Sequence, residues 1–119
     1  MRILVCGGRD FDDWAMLCAW LDLALAHFGP FVVVEGEAIG ADFLARVWAK
    51  WRGLDYLPFP ADWKQHGYRA GPIRNQQMLD EGAPDVVIAF PGGTGTADMV
   101  ARSRAKGLPV YIAESFPRA

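Results

Sequence analysis

Four short runs of apolar, largely β-branched residues recur along the chain, at "RILVCG" (2–7), "FVVVEG" (31–36), "DVVIAF" (85–90) and "LPVYIA" (108–113). The first two end in glycine, and the third leads through Pro91 into Gly92 and Gly93. Runs that are apolar at successive positions, rather than at alternate ones, fit strands covered on both faces, as in the middle of a parallel sheet. A weaker run, "DYLPFP" (55–60), carries two prolines and is expected nearer a sheet edge. Helical patterns separate the runs. Asp12 and Asp13 offer N-caps for an amphipathic helix reaching about His27, with Gly29-Pro30 as its stop. "FLARVWAKW" (43–51) has helical spacing and closes near Gly53. "PIRNQQMLDEG" (72–82) opens on Pro72, whose missing N–H costs nothing in a first turn. "ADWKQHGYRAGP" (61–72) reads as a polar loop, and a last helix starts near Thr96. Five strands alternating with four helices predict an α/β fold, a Rossmann-like doubly wound parallel five-stranded sheet with helices on both faces. The expected organisation is a single nucleotide-binding domain over 1–119.

Composition narrows the functional classes. Hydrophobic residues make up 52% of the chain, and the formal net charge is -2. An extended nucleic-acid footprint normally needs a basic face, so nucleic acid is not the expected partner. No apolar run approaches the roughly 18 residues of a membrane span, so no membrane partner is expected either. Cys6 and Cys18 follow no metal-ligand spacing; reduced structural thiols in a cytoplasmic protein are the reading, with no metal site and no cofactor.

In doubly wound sheets ligands sit at the carboxyl ends of strands, where the strand order reverses. The unusual motifs all fall at such ends. After the third apolar run stand Pro91, Gly92, Gly93, Thr94, Gly95 and Thr96. Their glycines let backbone approach a ligand, the threonines add hydroxyls, and the following helix would aim its free N–H groups and dipole at an anion. The competing explanation is a tight turn that needs glycine for positive φ. After the first strand, Gly7, Gly8 and Arg9 precede Asp10; Arg9 would meet a phosphate or base edge, or else pair with Asp10 to shape the loop. After the second come Gly36, Glu37, Gly40 and Asp42. Arg74 and Asn75 sit in a helix's first turn, where a cation opposes the dipole. A bound phosphate would compensate Arg74, as would a salt bridge to Asp98 or Glu35. Trp63 and Tyr68 in the polar loop would stack on a base or simply anchor the loop.

Laid out this way, "CGGRDF", "VEGEAIGADFLA", "FPADWKQHGYRAGPIRNQQM" and "DVVIAFPGGTGTADM" make the chain resemble the SLOG superfamily, in its YspA-like, YpsA-related branch. More distantly it resembles the LOG phosphoribohydrolases, which cleave nucleoside 5′-monophosphates to base and ribose 5-phosphate. The resemblance implies phosphate binding by Pro91 to Thr96 and by Arg74. It also implies a glutamate at the position of Met99. The neighbouring Asp98, or Glu35, would have to substitute for that acid if the chain were catalytic. Glu37 stands where the related branch usually has another residue and is a candidate for a ribose diol.

The expected function is therefore binding of a nucleotide or NAD/ADP-ribose-like ligand, as a sensor or sequestering protein. The alternative is a LOG-like nucleotide N-glycosidase using Arg74, Asp98 or Glu35. Single-stranded DNA binding and a vestigial pocket are weaker expectations. The resemblance further implies a homodimer or higher homo-oligomer, for which the apolar "MLCAWLDLALAHF" helix offers one surface; packing of that helix on the sheet explains its apolar residues equally well.

Overall fold

The computed structural model describes residues 1–114. Strands β1 (Arg2–Cys6), β2 (Val32–Glu35), β3 (Tyr56–Pro58), β4 (Val86–Ala89) and β5 (Val110–Ile112) form one parallel sheet in the order β3-β2-β1-β4-β5. The α-helices are α1 (Trp14–Phe28), α2 (Ala41–Trp51), α3 (Trp63–His66), α4 (Ala70–Asp80) and α5 (Thr94–Ala105). The proline-bearing β3 lies at an edge, where a missing donor is tolerated.

Alternation along the central strands divides the interior in two. Ile3, Val5, Val33, Val86 and Ile88 face a layer built by α1 and α2, including Leu17, Leu21, Ala45 and Trp48. Leu4, Cys6, Val34, Val87 and Ala89 face Met78, Leu79 and Met99 of α4 and α5. Both faces being covered explains why residues 3–6, 31–34 and 86–90 are apolar at successive positions. In register, Leu4 lies between Val34 and Val87.

Three expectations about helices need correction. The predicted polar loop contains α3, capped by Asp62, whose side chain accepts from the Gln65 N–H at 3.1 Å. A 3₁₀ turn (Gly67–Arg69) follows, so the described residues hold five α-helices rather than four. A four-residue helix is too short to show periodicity. Next, α4 begins at Ala70, two residues before Pro72, which still sits in the first turn. Last, α5 begins at Thr94 rather than near Thr96; Gly95, a poor helix former, hid the true start. For α1 the cap is Asp13, which accepts from the Met16 N–H at 3.0 Å, and Gly29 closes the helix.

The chain lays β1, β2 and β3 in one direction, then returns to place β4 on the other side of β1. The order thus reverses between β1 and β4, and a crevice opens beyond their carboxyl ends.

Candidate functional site

That crevice is a cleft of about 1060 Å³. The loops after β1 and β4 form its floor and are joined by a hydrogen bond from the Gly8 N–H to the Pro91 carbonyl at 2.8 Å. The first glycine pair is consumed by packing. A Cβ on Gly7 would lie 2.5 Å from that of Ala41, and one on Gly8 would lie 3.0 Å from the Gly92 Cα. The Gly8 carbonyl accepts from the N–H groups of both Phe11 and Ala41 at 3.2 Å. Gly40, at φ +81°, lets α2 start against this carbonyl.

The second glycine cluster behaves differently. None of Gly92, Gly93 and Gly95 has a positive φ, so the turn explanation does not account for them. Gly92 is required by contact, since a Cβ there would strike the Thr96 side chain and lie 2.6 Å from the Gly8 nitrogen. Around Gly93 and Gly95 a Cβ would meet nothing within 4 Å. Their bareness serves no internal contact. It keeps clear the space over the start of α5, which no side chain caps. The Gly93 carbonyl accepts the N–H of Ala97 at 3.0 Å. Ahead of that bond, the N–H groups of Thr94, Gly95 and Thr96 have no acceptor within the helix and face the dipole's positive end.

Arg74 lines the same cleft, and because α4 begins at Ala70 it is the fifth helical residue, in the second turn rather than the expected first. Its Nη1 donates to the Gly36 carbonyl and its Nε to the Asn75 Oδ1 at 3.1 Å. Both acceptors are neutral. Among the described residues, neither of the anticipated ion pairs, to Asp98 or to Glu35, forms. Burial lowers the guanidinium pKa first of all; Asp42 works against that shift, and the like charge of Arg9 adds to it. The Arg74 guanidinium is therefore oriented without a direct ion pair, with Asp42 and Glu35 attracting it from nearby. An anion between Arg74 and Arg9 would offset the like charge that Arg9 sets against Arg74.

Asp98 also lines the cleft, but its Oδ2 is engaged, accepting from Asn75 Nδ2 at 3.0 Å and Arg102 Nε at 2.8 Å. Asn75 is buried and gives a second bond to the Gly95 carbonyl at 3.2 Å. The adjacent Met99 points the other way and is fully buried in the α4/α5 core.

The β2–α2 loop supports the site from behind. Asp42 reaches the cleft wall, and its Oδ2 accepts from the N–H groups of Gly36 (3.2 Å) and Ala38 (3.3 Å). Burial pushes its carboxyl up to about 6, against the pull of Arg74 and these backbone donors. Glu35 is fully buried behind the loop and does not line the cleft. One of its oxygens accepts the Glu37 N–H, while Oε1 has no partner. Burial pushes Glu35 up to about 7. Glu37 itself is exposed, at φ +56°, and pairs with Arg46 at 3.9 Å. Gly36, Glu37 and Gly40 are thus outside the cleft lining, whereas Gly7, Gly8, Arg9, Asp42, Arg74, Asn75, Asp98 and the whole Pro91–Thr96 stretch belong to it.

The outer rim carries Trp63 and Tyr68, both exposed. The Arg9 guanidinium lies over the Trp63 ring, 5.4 Å from its centroid, instead of pairing with Asp10. Sequence reasoning did not pick out Cys6, Phe11 or Gly71 as lining residues. Their only signal was proximity to a glycine loop or to Arg74. Cys6 is no nucleophile, because burial pushes its thiol up to about 12.

Residues 1–66 match the family model described as YAcAr, the YspA, cpYpsA-related SLOG family. The chain belongs to this family. That match covers β1 to α3, including the Gly7–Asp10 loop and Asp42. The YAcAr chain is also 39% identical to the Gene 61 protein of Mycobacterium phage D29, over 92% of its own length and 93% of the phage protein's. Among solved structures, the crystal structure of TM1055 shares its fold at a TM-score of 0.70 and 22% identity, over 92% of this YAcAr chain and 71% of the other.

Proposed function

We propose that this YAcAr protein binds a nucleotide or an NAD/ADP-ribose-like molecule, with a phosphate on the first turn of α5 and between Arg74 and Arg9. The observation that carries the reading is the pair Gly93 and Gly95, bare without internal cause, over an uncapped helix start. Arg74, oriented into the cleft without a direct ion pair, supports it, and Trp63 and Tyr68 supply aromatic surface for a base at the rim. The protein acts as a sensor or sequestering protein in the cytoplasm, paired with a second copy. The LOG-like phosphoribohydrolase alternative draws on one observation, that Asp98 lines the same cleft. Binding is favoured over turnover because Oδ2 of Asp98 already takes two donors and Met99 is buried.

Calorimetric titration with nucleoside mono- and diphosphates, NAD and ADP-ribose, followed by mass spectrometry of the mixtures, tests both. Saturable binding without free base, weakened at least about tenfold in Arg74→Gln, is the expected result. Catalytic release of base, abolished in Asp98→Asn, would establish the alternative. No binding and no melting shift across the panel would defeat both, since a ligand at 100 times its Kd adds about 2.7 kcal/mol.

A further inference from the structure

Glu35 ends β2 fully buried, and among the described residues it forms no ion pair. One of its oxygens accepts the Glu37 N–H. That N–H belongs to the same peptide group as the Gly36 carbonyl, and in a trans peptide the two point opposite ways. The carbonyl accepts Nη1 of Arg74. A single peptide plane thus joins a buried carboxyl group to the cleft's cation. It donates at one end and accepts at the other, and each bond polarises the peptide in the sense that strengthens the other. The N–H groups on either side, of Gly36 and Ala38, are taken by Asp42 Oδ2 at 3.2 and 3.3 Å. Three successive N–H groups at a strand end would make a nest for an anion. Here the chain's own carboxyl groups occupy it, and what the loop has left for Arg74 is an acceptor.

Gly36 is bare for the same purpose. Its φ is not positive, so the backbone does not demand glycine. A Cβ there would strike Arg74 Nη1 and lie 2.8 Å from its Cζ and 2.9 Å from Asp42 Oδ2. Those atoms are the tips of two side chains, so the missing Cβ makes room for a guanidinium lying against the loop. We propose that the Gly36–Glu37 peptide is a seat for Arg74, and that Glu35 and Gly36 are positioning residues for the cleft although neither lines it. The part of this that concerns a ligand rests on the phosphate reading given above. With Nη1 on the Gly36 carbonyl and Nε on Asn75 Oδ1 at 3.1 Å, two bonds in the plane of a rigid fork fix its direction. Nη2 has no acceptor among the described residues, which leaves both its N–H groups for a ligand oxygen. The seat also ties the two layers together. Asp42 opens α2 on one face of the sheet, and Arg74 rides on α4 on the other.

Arginine side-chain NMR on the ligand-free chain tests the seat. The wild type should show a slowly exchanging Nε–H signal for Arg74, identified by its loss in Arg74→Gln. Gly36→Ala should melt cooperatively, because only side-chain tips obstruct the new methyl, and should shift or broaden that signal. Glu35→Ala should do the same, whereas Glu35→Gln, which keeps an acceptor for the Glu37 N–H, should preserve it. An Arg74 signal averaged with those of exposed arginines in the wild type, or one that Gly36→Ala leaves unchanged, would overturn the proposal. With AMP as the probe, calorimetry should find affinity lower by about tenfold or more in Gly36→Ala, and no further loss when Arg74→Gln is added. Losses that add would show Gly36 acting apart from Arg74 and would overturn the positioning role. A wild type that binds none of AMP, NAD and ADP-ribose would defeat the phosphate reading, while the seat stands or falls on the Arg74 signal.

Discussion

Asn75 holds Asp98 at 3.0 Å with one side-chain amide while accepting the Arg74 Nε at 3.1 Å with its oxygen. The same amide reaches the Gly95 carbonyl. One buried side chain thereby sets the distance between the cleft's oriented cation and the start of α5. The amide must point this way, because only the nitrogen can donate to two acceptors.

Replacing that nitrogen reverses its chemistry. Asn75→Asp puts a carboxylate against Asp98 and the Gly95 carbonyl, and should cost about 2 kcal/mol at neutral pH. The new carboxyl, crowded by acceptors, has its pKa raised in the fold. The loss should therefore shrink as pH falls and the group protonates, which urea unfolding of both proteins at pH 5 and pH 8 would measure. An equal loss at both would argue against the amide's donor role.

Gly93→Ala and Gly95→Ala should leave the fold intact, and the second should stabilise it by up to about 1 kcal/mol through helix propensity. Either should lower affinity for a phosphate-bearing ligand. Gly92→Ala should instead destabilise, because its Cβ has nowhere to go. Melting temperature and calorimetry on the three variants separate packing from binding.

Glu35 and Asp42 sit at about 7 and about 6, above ordinary carboxyl values because of burial. A group with a raised folded pKa contributes its stability below the unfolded value, near pH 4. That contribution disappears as pH rises through the folded value. The pair should make the fold more stable at pH 5 than at pH 8. Glu35→Gln keeps an acceptor for the Glu37 N–H and removes the charge, so it should gain about 2 kcal/mol at pH 8 and little at pH 5. No gain at pH 8 in chemical denaturation would contradict this.

Met99→Glu should not create a hydrolase. The side chain is fully enclosed beside Leu4, Met78 and Val87, and an unpaired carboxylate there should cost more than about 3 kcal/mol. Met99→Leu should cost less than about 1.5 kcal/mol. Circular dichroism melts of the two variants test the burial directly.

The strands were legible because both sheet faces are covered, which makes "RILVCG" from Ile3 on and "DVVIAF" from Val86 on apolar at successive positions. The reversal point and its loops follow from the order of those runs. Helix α3 was not legible, since four residues, Trp63 and three polar ones, held by one Asp62 cap carry no periodicity. Nor was the start of α5, where Gly95 masks a helical turn. The sequence showed three glycines in a cluster but not their different duties. Gly92 is fixed by contact and the other two by none, a distinction that needs neighbours from β1 and α5. The role of Asn75 was likewise invisible, because Asp98 and the Gly95 carbonyl stand on α5.

The freedom around Gly93 and Gly95 has a consequence for relatives of this chain. Positions that the fold does not need are free to drift once their task is lost. A homologue that keeps Gly7, Gly8 and Gly92 but carries side chains at these two places would still fold and would have given up its ligand. Two letters of sequence would then separate working members of a lineage from those that retain only its architecture.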